Sequence, residues 1–460
     1  MHARLVLVLA VSVVANLAFP VGSSADPSVT PTGLGASVRS QGTDQAEEPG
    51  RSENMQVIGH LGLGGSTADV YGFGHYAYLG VTGGEPPLGA VCPASGVKVV
   101  DISRPDQPLQ VAVLQNPGLT TAEDVVVAHV NTSTFQGDLA AVGIQACAPQ
   151  LVNIFRGLQL YDVTDPSRPR KLGHWRSPGT TGGCHEIDLA VHSTGQVLAA
   201  CAVPLAEVVQ AFDEVVTIDV TNPHSPSKIS GFAAGKDLGV VSGMGPGAGE
   251  GCFPATFAHS VRFFDRGHTL AASYWDAGVI ELDLRDPENP EVSSRIDIVP
   301  PDEDGDVHSV ARAGPLLLIA PEDMSPVRDQ RGGCRPGDWD GWGELWVYDV
   351  SDPAAPKVLS SFATPNARSK RTDGIYTIHN SEVVQSDQVF ASWYSDGVRW
   401  IDLSNPRRPV ERGFFVPPSS EEGLLGAPAA PLVWGVWPHN DLILVSDVHS
   451  GLWIVKPDLS

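Results

Sequence analysis

The sequence predicts an all-β fold, a seven-bladed β-propeller of four-stranded antiparallel blades whose ring is closed by an N-terminal strand. Three observations carry this. A short segment built on Asp and two spaced prolines recurs through the chain. The 460 residues include 49 Gly and 38 Pro, close to a fifth of the chain against a usual ~12 %, and no helical period fills the gaps between repeats. Finally, a segment near the start resembles a strand type that the last repeat lacks.

The repeat itself reads VKVVDISRPDQP from Val97, LQLYDVTDPSRP from Leu158, VVTIDVTNPHSP from Val215, VIELDLRDPENP from Val279, LWVYDVSDPAAP from Leu345 and VRWIDLSNPRRP from Val398. Its anchoring acids are Asp101, Asp162, Asp219, Asp283, Asp349 and Asp402, and a degenerate seventh copy, LWIVKPD from Leu452, puts Lys456 at the Asp position. In each unit an alternating apolar strand ends in the Asp. The first Pro fixes φ and lacks an amide, so the strand stops, and Ser/Thr or Asp side chains can bond the freed turn amides. A further strand follows, as in Arg170 to Trp175 or Lys357 to Phe362, and two more precede each Asp. The unit with Ser260 to Phe264, a turn at Asp265-Arg266-Gly267, Thr269 to Tyr274 and Val279 to Leu284 shows the pattern best. Four antiparallel strands per repeat compose a propeller blade. After the seventh copy the chain stops short of a fourth strand, and Gln56 to Leu61 (QVIGHL) resembles Lys171 to Trp175 (KLGHW). An N-terminal strand completing the last blade would close the ring and hide its edge. An open stack or a pair of β-sandwiches is the competing arrangement.

These repeat cores, VVDIS, LYDVT, TIDVT and WIDLS with their spaced prolines, resemble the LVIVD repeat family of secreted bacterial propeller proteins, over about residues 55 to 457. The resemblance implies the fold; propellers host many functions, so it implies no single activity.

The chain termini bear on location. His2 and Arg4 precede an apolar run from Leu5 to Phe19, which Pro20 and Gly22 break before the small residues Ser23-Ser24-Ala25. This reads as a secretory signal peptide over residues 1–25, too short for a membrane span. Residues 26–54, rich in Ser, Thr, Pro, Gly and acids, read as a disordered leader, and 55–460 as the propeller. The expected protein is secreted, extracellular and monomeric. Its six cysteines, Cys92, Cys147, Cys184, Cys201, Cys252 and Cys334, then suggest disulfides. The formal charge of −24 argues against a nucleic acid bound through its phosphates and against docking on an anionic membrane. Expected partners are an extracellular protein, a glycan or a small molecule.

Aligning the first strand of each blade exposes a second regularity. His185 (GCHEIDL), His259 (FAHSVRF), His308 (DVHSVAR) and His379 (TIHNSEV) occupy one equivalent position, which Glu123 (AEDVVV) fills in the second blade, Ala68 in the first and Trp434 in the seventh. First strands line a propeller's channel, so these side chains are expected at one height around the axis. Imidazoles suit copper, iron or zinc, and an open coordination position would permit catalysis. By fold analogy the set is similar to the channel histidines of carotenoid-cleaving and selenium-binding propellers. Two readings stand side by side: a binding or interaction module whose histidines are structural, and an extracellular metalloenzyme, oxidoreductase or hydrolase, with His185, His259, His308, His379 and Glu123 around a metal. The first two blades keep their Asp turns without a His, so the turn does not require one.

Weaker candidates remain. Asp302, Asp304 and Asp306 around Gly305 resemble part of a calcium loop without the distal Glu. His75, His192, His268 and His439 read as surface turn positions. Trp339 and Trp342 read as an aromatic lid, and Trp346 as core. Ser260 and Ser309 follow channel histidines, but adjacent strand residues point to opposite faces and no GxSxG elbow is present.

Overall fold

The computed structural model describes residues 38–41, 49–83, 96–147, 153–179, 182–207, 211–244, 255–297, 305–324, 341–369, 371, 373–420 and 429–458. Seven four-stranded antiparallel sheets form the blades of a propeller. Blade one runs Ser66–Phe73, Tyr76–Gly83, Val97–Asp101 and Leu109–Leu114. Blade two is Val125–Asn131, Gln136–Ala146, Gly157–Asp162 and Arg170–Arg176. Blade three is Ile187–Val191, Val197–Ala202, Val215–Asp219 and Ser227–Phe232. Blade four follows as Ser260–Phe264, Thr269–Ser273, Val279–Asp283 and Glu291–Ile296. Blade five comprises Val307–Ala313, Leu316–Pro321, Leu345–Asp349 and Lys357–Ala363. Blade six comprises Ser381–Val384, Gln388–Ser392, Val398–Asp402 and Val410–Phe415. Blade seven takes Val433–His439, Leu442–Asp447 and Gly451–Pro457 from the C-terminus, and its outer strand is Met55–Leu61 from the N-terminus, antiparallel to Gly451–Pro457. The ring is closed as the QVIGHL segment predicts.

The Asp turn works through one hydrogen bond made six times. The anchoring carboxylate accepts the amide two residues on: Ser103 to Asp101, Thr164 to Asp162, Thr221 to Asp219, Arg285 to Asp283, Ser351 to Asp349 and Ser404 to Asp402, at 2.7–3.0 Å. This is the Asx-type turn that short acids favour. Lys456 instead pairs with Asp441.

After the turn, every outer strand carries a bulge against the third strand, and the residue beyond it is always small: Ala112, Gly173, Ser230, Ser294, Ser360, Gly413 and Gly59. At Gly59, Gly173, Ser230, Ser294 and Ser360 size is restricted because the next blade's proline turn nests there, and at Gly413 because the Glu53 carbonyl does. The Ser230, Ser294 and Ser360 hydroxyls donate to the carbonyls of Pro287, Pro353 and Pro406 at 2.7, 3.0 and 2.6 Å. The motif therefore specifies both a turn and the docking of neighbouring blades.

Blades pack face to face, so their middle strands bury both faces and read as continuous apolar runs; Val197–Ala202 and Leu316–Pro321 are buried throughout. One core cluster joins Val126, Leu139 and Leu158 of blade two to Ile187, Leu189 and Ile218 of blade three. Another joins Leu318, Val347 and Phe362 of blade five to Val389, Trp393 and Ile401 of blade six.

Two short segments within residues 26–54 pair with blades five and six. Val38–Gln41 pairs in parallel with Lys357–Ala363, and Ser52–Glu53 pairs with Val410–Phe415. Edge pairing needs only backbone donors and acceptors, so apolar periodicity gives no sign of it. Cys184 and Cys201 form a disulfide, Cys147 is also disulfide-bonded, and no described cysteine is free. Cys92, Cys252 and Cys334, like residues 1–25, lie outside the described residues. Among the described residues no helix is long and apolar enough to cross a membrane.

Candidate metal centre

The predicted histidine row stands at the start of the innermost strands. His185 and His379 precede Ile187–Val191 and Ser381–Val384 by two residues, and His259 precedes Ser260–Phe264 by one. In all three blades the His amide donates to a residue at the end of the second strand: His185 to Ala202, His259 to Ser273 and His379 to Ser392, at 2.8–2.9 Å. His308 lies inside Val307–Ala313 at a bulge between Val307 and Ser309, a device that re-aims a side chain. The Asp turns sit at the opposite end of the innermost strands, since Asp283 pairs with Thr269 and Thr269 with Phe264. Turn and histidine thus lie on opposite faces of the ring.

All four imidazoles are buried, at 3 % exposure or less. They form a continuous arc: ring centroids are 4.4 Å apart for His185 and His259, 4.3 Å for His259 and His308, and 3.9 Å for His308 and His379. Nε2 of His185 lies 3.1 Å from Nε2 of His259, close to the ~3.3 Å between two nitrogens on one tetrahedral ion with ~2.0 Å bonds. Glu123 closes one end of the arc, its Oε2 3.2 Å from Nδ1 of His185, which also meets Gln145 Oε1 at 3.1 Å. At the other end Nδ1 of His379 donates to the Trp434 carbonyl at 2.9 Å. Ala68 and Trp434 pack into an apolar sector with Tyr394 and Ile375.

Two carboxylates at the site are absent from the sequence-derived set. Glu186 Oε1 lies 3.3 Å from Nε2 of His308 and 3.9 Å from Nδ1 of His259. Glu322, just beyond Leu316–Pro321, accepts from the Tyr394 hydroxyl. His185, Glu186 and His259 offer three ligand atoms within 4.8 Å of one another, and so do His259, His308 and Glu322. The expectation that neighbouring residues face opposite ways fails at Glu186 because the chain there has not yet entered the strand, which begins at Ile187.

The electrostatics favour the neutral imidazole at three of the four histidines. Burial, then the neighbouring rings, hold His259, His308 and His379 well below the ordinary histidine value. Burial also depresses His185, but Glu123, with Glu322 and Asp124, outweighs it and leaves His185 raised. Burial first, then Asp69, Asp124, Glu123 and Glu322, push Glu186 well above the usual carboxylate range. Nδ1 of His259, Nδ1 of His308 and Nε2 of His379 have no hydrogen-bond partner.

Alongside lies a channel cavity of about 420 Å³, lined among others by Asp69, Asp124, Glu186, Asp188, Arg262 and Glu382. Arg262 is engaged by Glu382 through two bonds of 2.7 and 2.8 Å. Glu186 belongs to both cavity and histidine arc.

The other sequence candidates resolve differently. His192 is buried and meets the His268 ring edge-on at 5.0 Å, unlike the surface position expected; the hairpin is folded against its neighbour. Trp342 is core, 3 % exposed with Nε1 donating to Arg371 O, as is Trp346. Trp339, Asp302 and Asp304 lie outside the described residues, and Asp306 is fully buried. Ser260 and Ser309 donate to Ser273 Oγ and the His379 carbonyl.

No curated protein matches the chain. Among solved structures, the β-propeller domain of Cps50 (Swd1) from Myceliophteria thermophila is similar, with 12 % identity, a TM-score of 0.52, and coverage of 88 % of this chain and 99 % of that one. A computationally designed protein, Ika8, aligns over 87 % of this chain and 99 % of its own, at 9 % identity and a TM-score of 0.48. Within the fold, residues 339–364, which hold the blade-five Asp turn, match the model of the LVIVD repeat family, so the chain is a seven-bladed propeller carrying an LVIVD repeat.

Proposed function

We propose that this protein is an exported binding propeller that holds a copper, iron or zinc ion at the end of its channel and offers it to a small molecule in the adjoining cavity. The carrying observation is the set of unpartnered, buried imidazole nitrogens on His259, His308 and His379, next to Glu186 and Glu322. Leaving a buried polar atom unpaired costs ~1–3 kcal/mol, and purely structural histidines would spend those nitrogens on hydrogen bonds. Neutral imidazole is the ligand form, and an N/O donor set suits these metals. Export is supported by the predicted signal and by the Cys184–Cys201 disulfide, which fits an oxidising compartment.

Catalysis is the second reading, favoured by the cavity: Glu186 touches the arc and lines a space of about 420 Å³, room for a substrate beside the ligands. A bound ion would supply Lewis-acid or redox chemistry there.

Elemental analysis of the purified protein tests the metal. Stoichiometric copper, iron or zinc that His259→Ala removes is the expected result. A wild-type protein free of metal, unchanged by supplementation during expression, would refute the reading.

A further inference from the structure

We infer that the arc is built for two divalent ions rather than one, with His259 between them; this rests on the metal reading above and specifies its stoichiometry. The ligands fall into two sets of three, His185–Glu186–His259 and His259–His308–Glu322. Each pairs imidazoles with one carboxylate. A single ion bound by either set would leave one carboxylate and at least one imidazole of the other set without an ion to ligate.

The free donors agree with two sets. Nδ1 of His259 and Nδ1 of His308, both in the second set, have no hydrogen-bond partner, and neither has Nε2 of His379, whose ring centroid lies 3.9 Å from that of His308. One ring nitrogen carries one lone pair, so His259 serves both ions through its two nitrogens, Nε2 on the side of His185 and the unpartnered Nδ1 on the other, as an imidazolate that releases its ring proton to solvent when the second ion binds.

The test titrates metal-stripped full-length protein with Zn²⁺ by calorimetry and counts the zinc retained after gel filtration. Two ions per chain are expected. Glu186→Gln and Glu322→Gln, which keep side-chain volume, should each retain one ion, while His259→Ala weakens both. One ion per chain in the wild type overturns the inference while leaving the metal site standing. No retained ion overturns the metal site itself. Because the wild-type count decides, misfolding of a variant does not blunt the result; circular dichroism identifies any variant that fails to fold.

Discussion

Gly59 lies so close to the Pro105 carbonyl that a Cβ at Gly59 would stand 1.9 Å from its oxygen. The contact joins the N-terminal strand of blade seven to the proline turn of blade one, across the closure of the ring. Gly173 makes the equivalent approach to Pro223 O, where a Cβ would stand at 2.3 Å. Backbone on both sides leaves no flexible atom to yield. Gly59→Ala is therefore expected to destabilise by ~1–3 kcal/mol, the range of overpacking. Gly62→Ala, with open space around it, should be near neutral. Chemical denaturation of both variants checks this, and equal stability would remove the steric account of closure.

That glycine shows why the fold could be read. QVIGHL and KLGHW look alike because Gly59 and Gly173 serve the same docking of a proline turn, and the six Asp turns repeat one hydrogen bond. Half of the site was legible for a similar reason: innermost strands line the axis, so equivalent histidines converge. Glu186 was hidden by the assumption of strand alternation beside His185, and Glu322 by its place at the end of a second strand. Neither position recurs as a repeat signal. The pairing of Val38–Gln41 with blade five uses backbone alone and leaves no pattern to find.

The Cys184–Cys201 disulfide closes a separation of 17 residues and fixes the residue immediately before His185. In the chain-entropy account a loop of about this size stabilises by ~3 kcal/mol. Replacing both cysteines by alanine should lower stability by about that amount and also weaken metal binding by loosening His185. Denaturation and metal competition on the same sample check the two effects. Unchanged affinity would mean that backbone pairing alone, such as the His185 amide to Ala202 O, positions the ring.

Glu214 predicts a pH dependence. Its side chain is fully buried, Oε2 accepts from the Ala258 amide at 3.3 Å, and Oε1 has no partner. Burial raises its pKa to about 8. The folded state therefore binds a proton that the unfolded state has released above ~4.3. Stability contributed by this group falls as pH rises across that window and levels off above about 8. Glu214→Gln, permanently neutral, should gain stability relative to wild type between pH 5 and 8. Parallel stability curves for the two proteins would show that Glu214 does not titrate in this way.

Glu123 holds His185 rather than reaching the centre of the arc: its Oε2 sits 3.2 Å from Nδ1, which turns Nε2 toward His259 at 3.1 Å. A carboxylate on the far nitrogen fixes tautomer and orientation and raises ligand basicity. Glu123→Gln preserves the shape and removes the charge. It should lower metal affinity ~10–100-fold, the usual effect of losing such a partner, when measured at pH 8 to suppress proton competition. In metal-free protein the same change should lower the His185 pKa, because Glu123 is the leading force opposing the effect of burial. Imidazole titration by NMR reads that shift directly. A structural role alone would alter stability without moving either quantity, so an unchanged affinity together with an unchanged His185 titration would show that Glu123 does not position the ring.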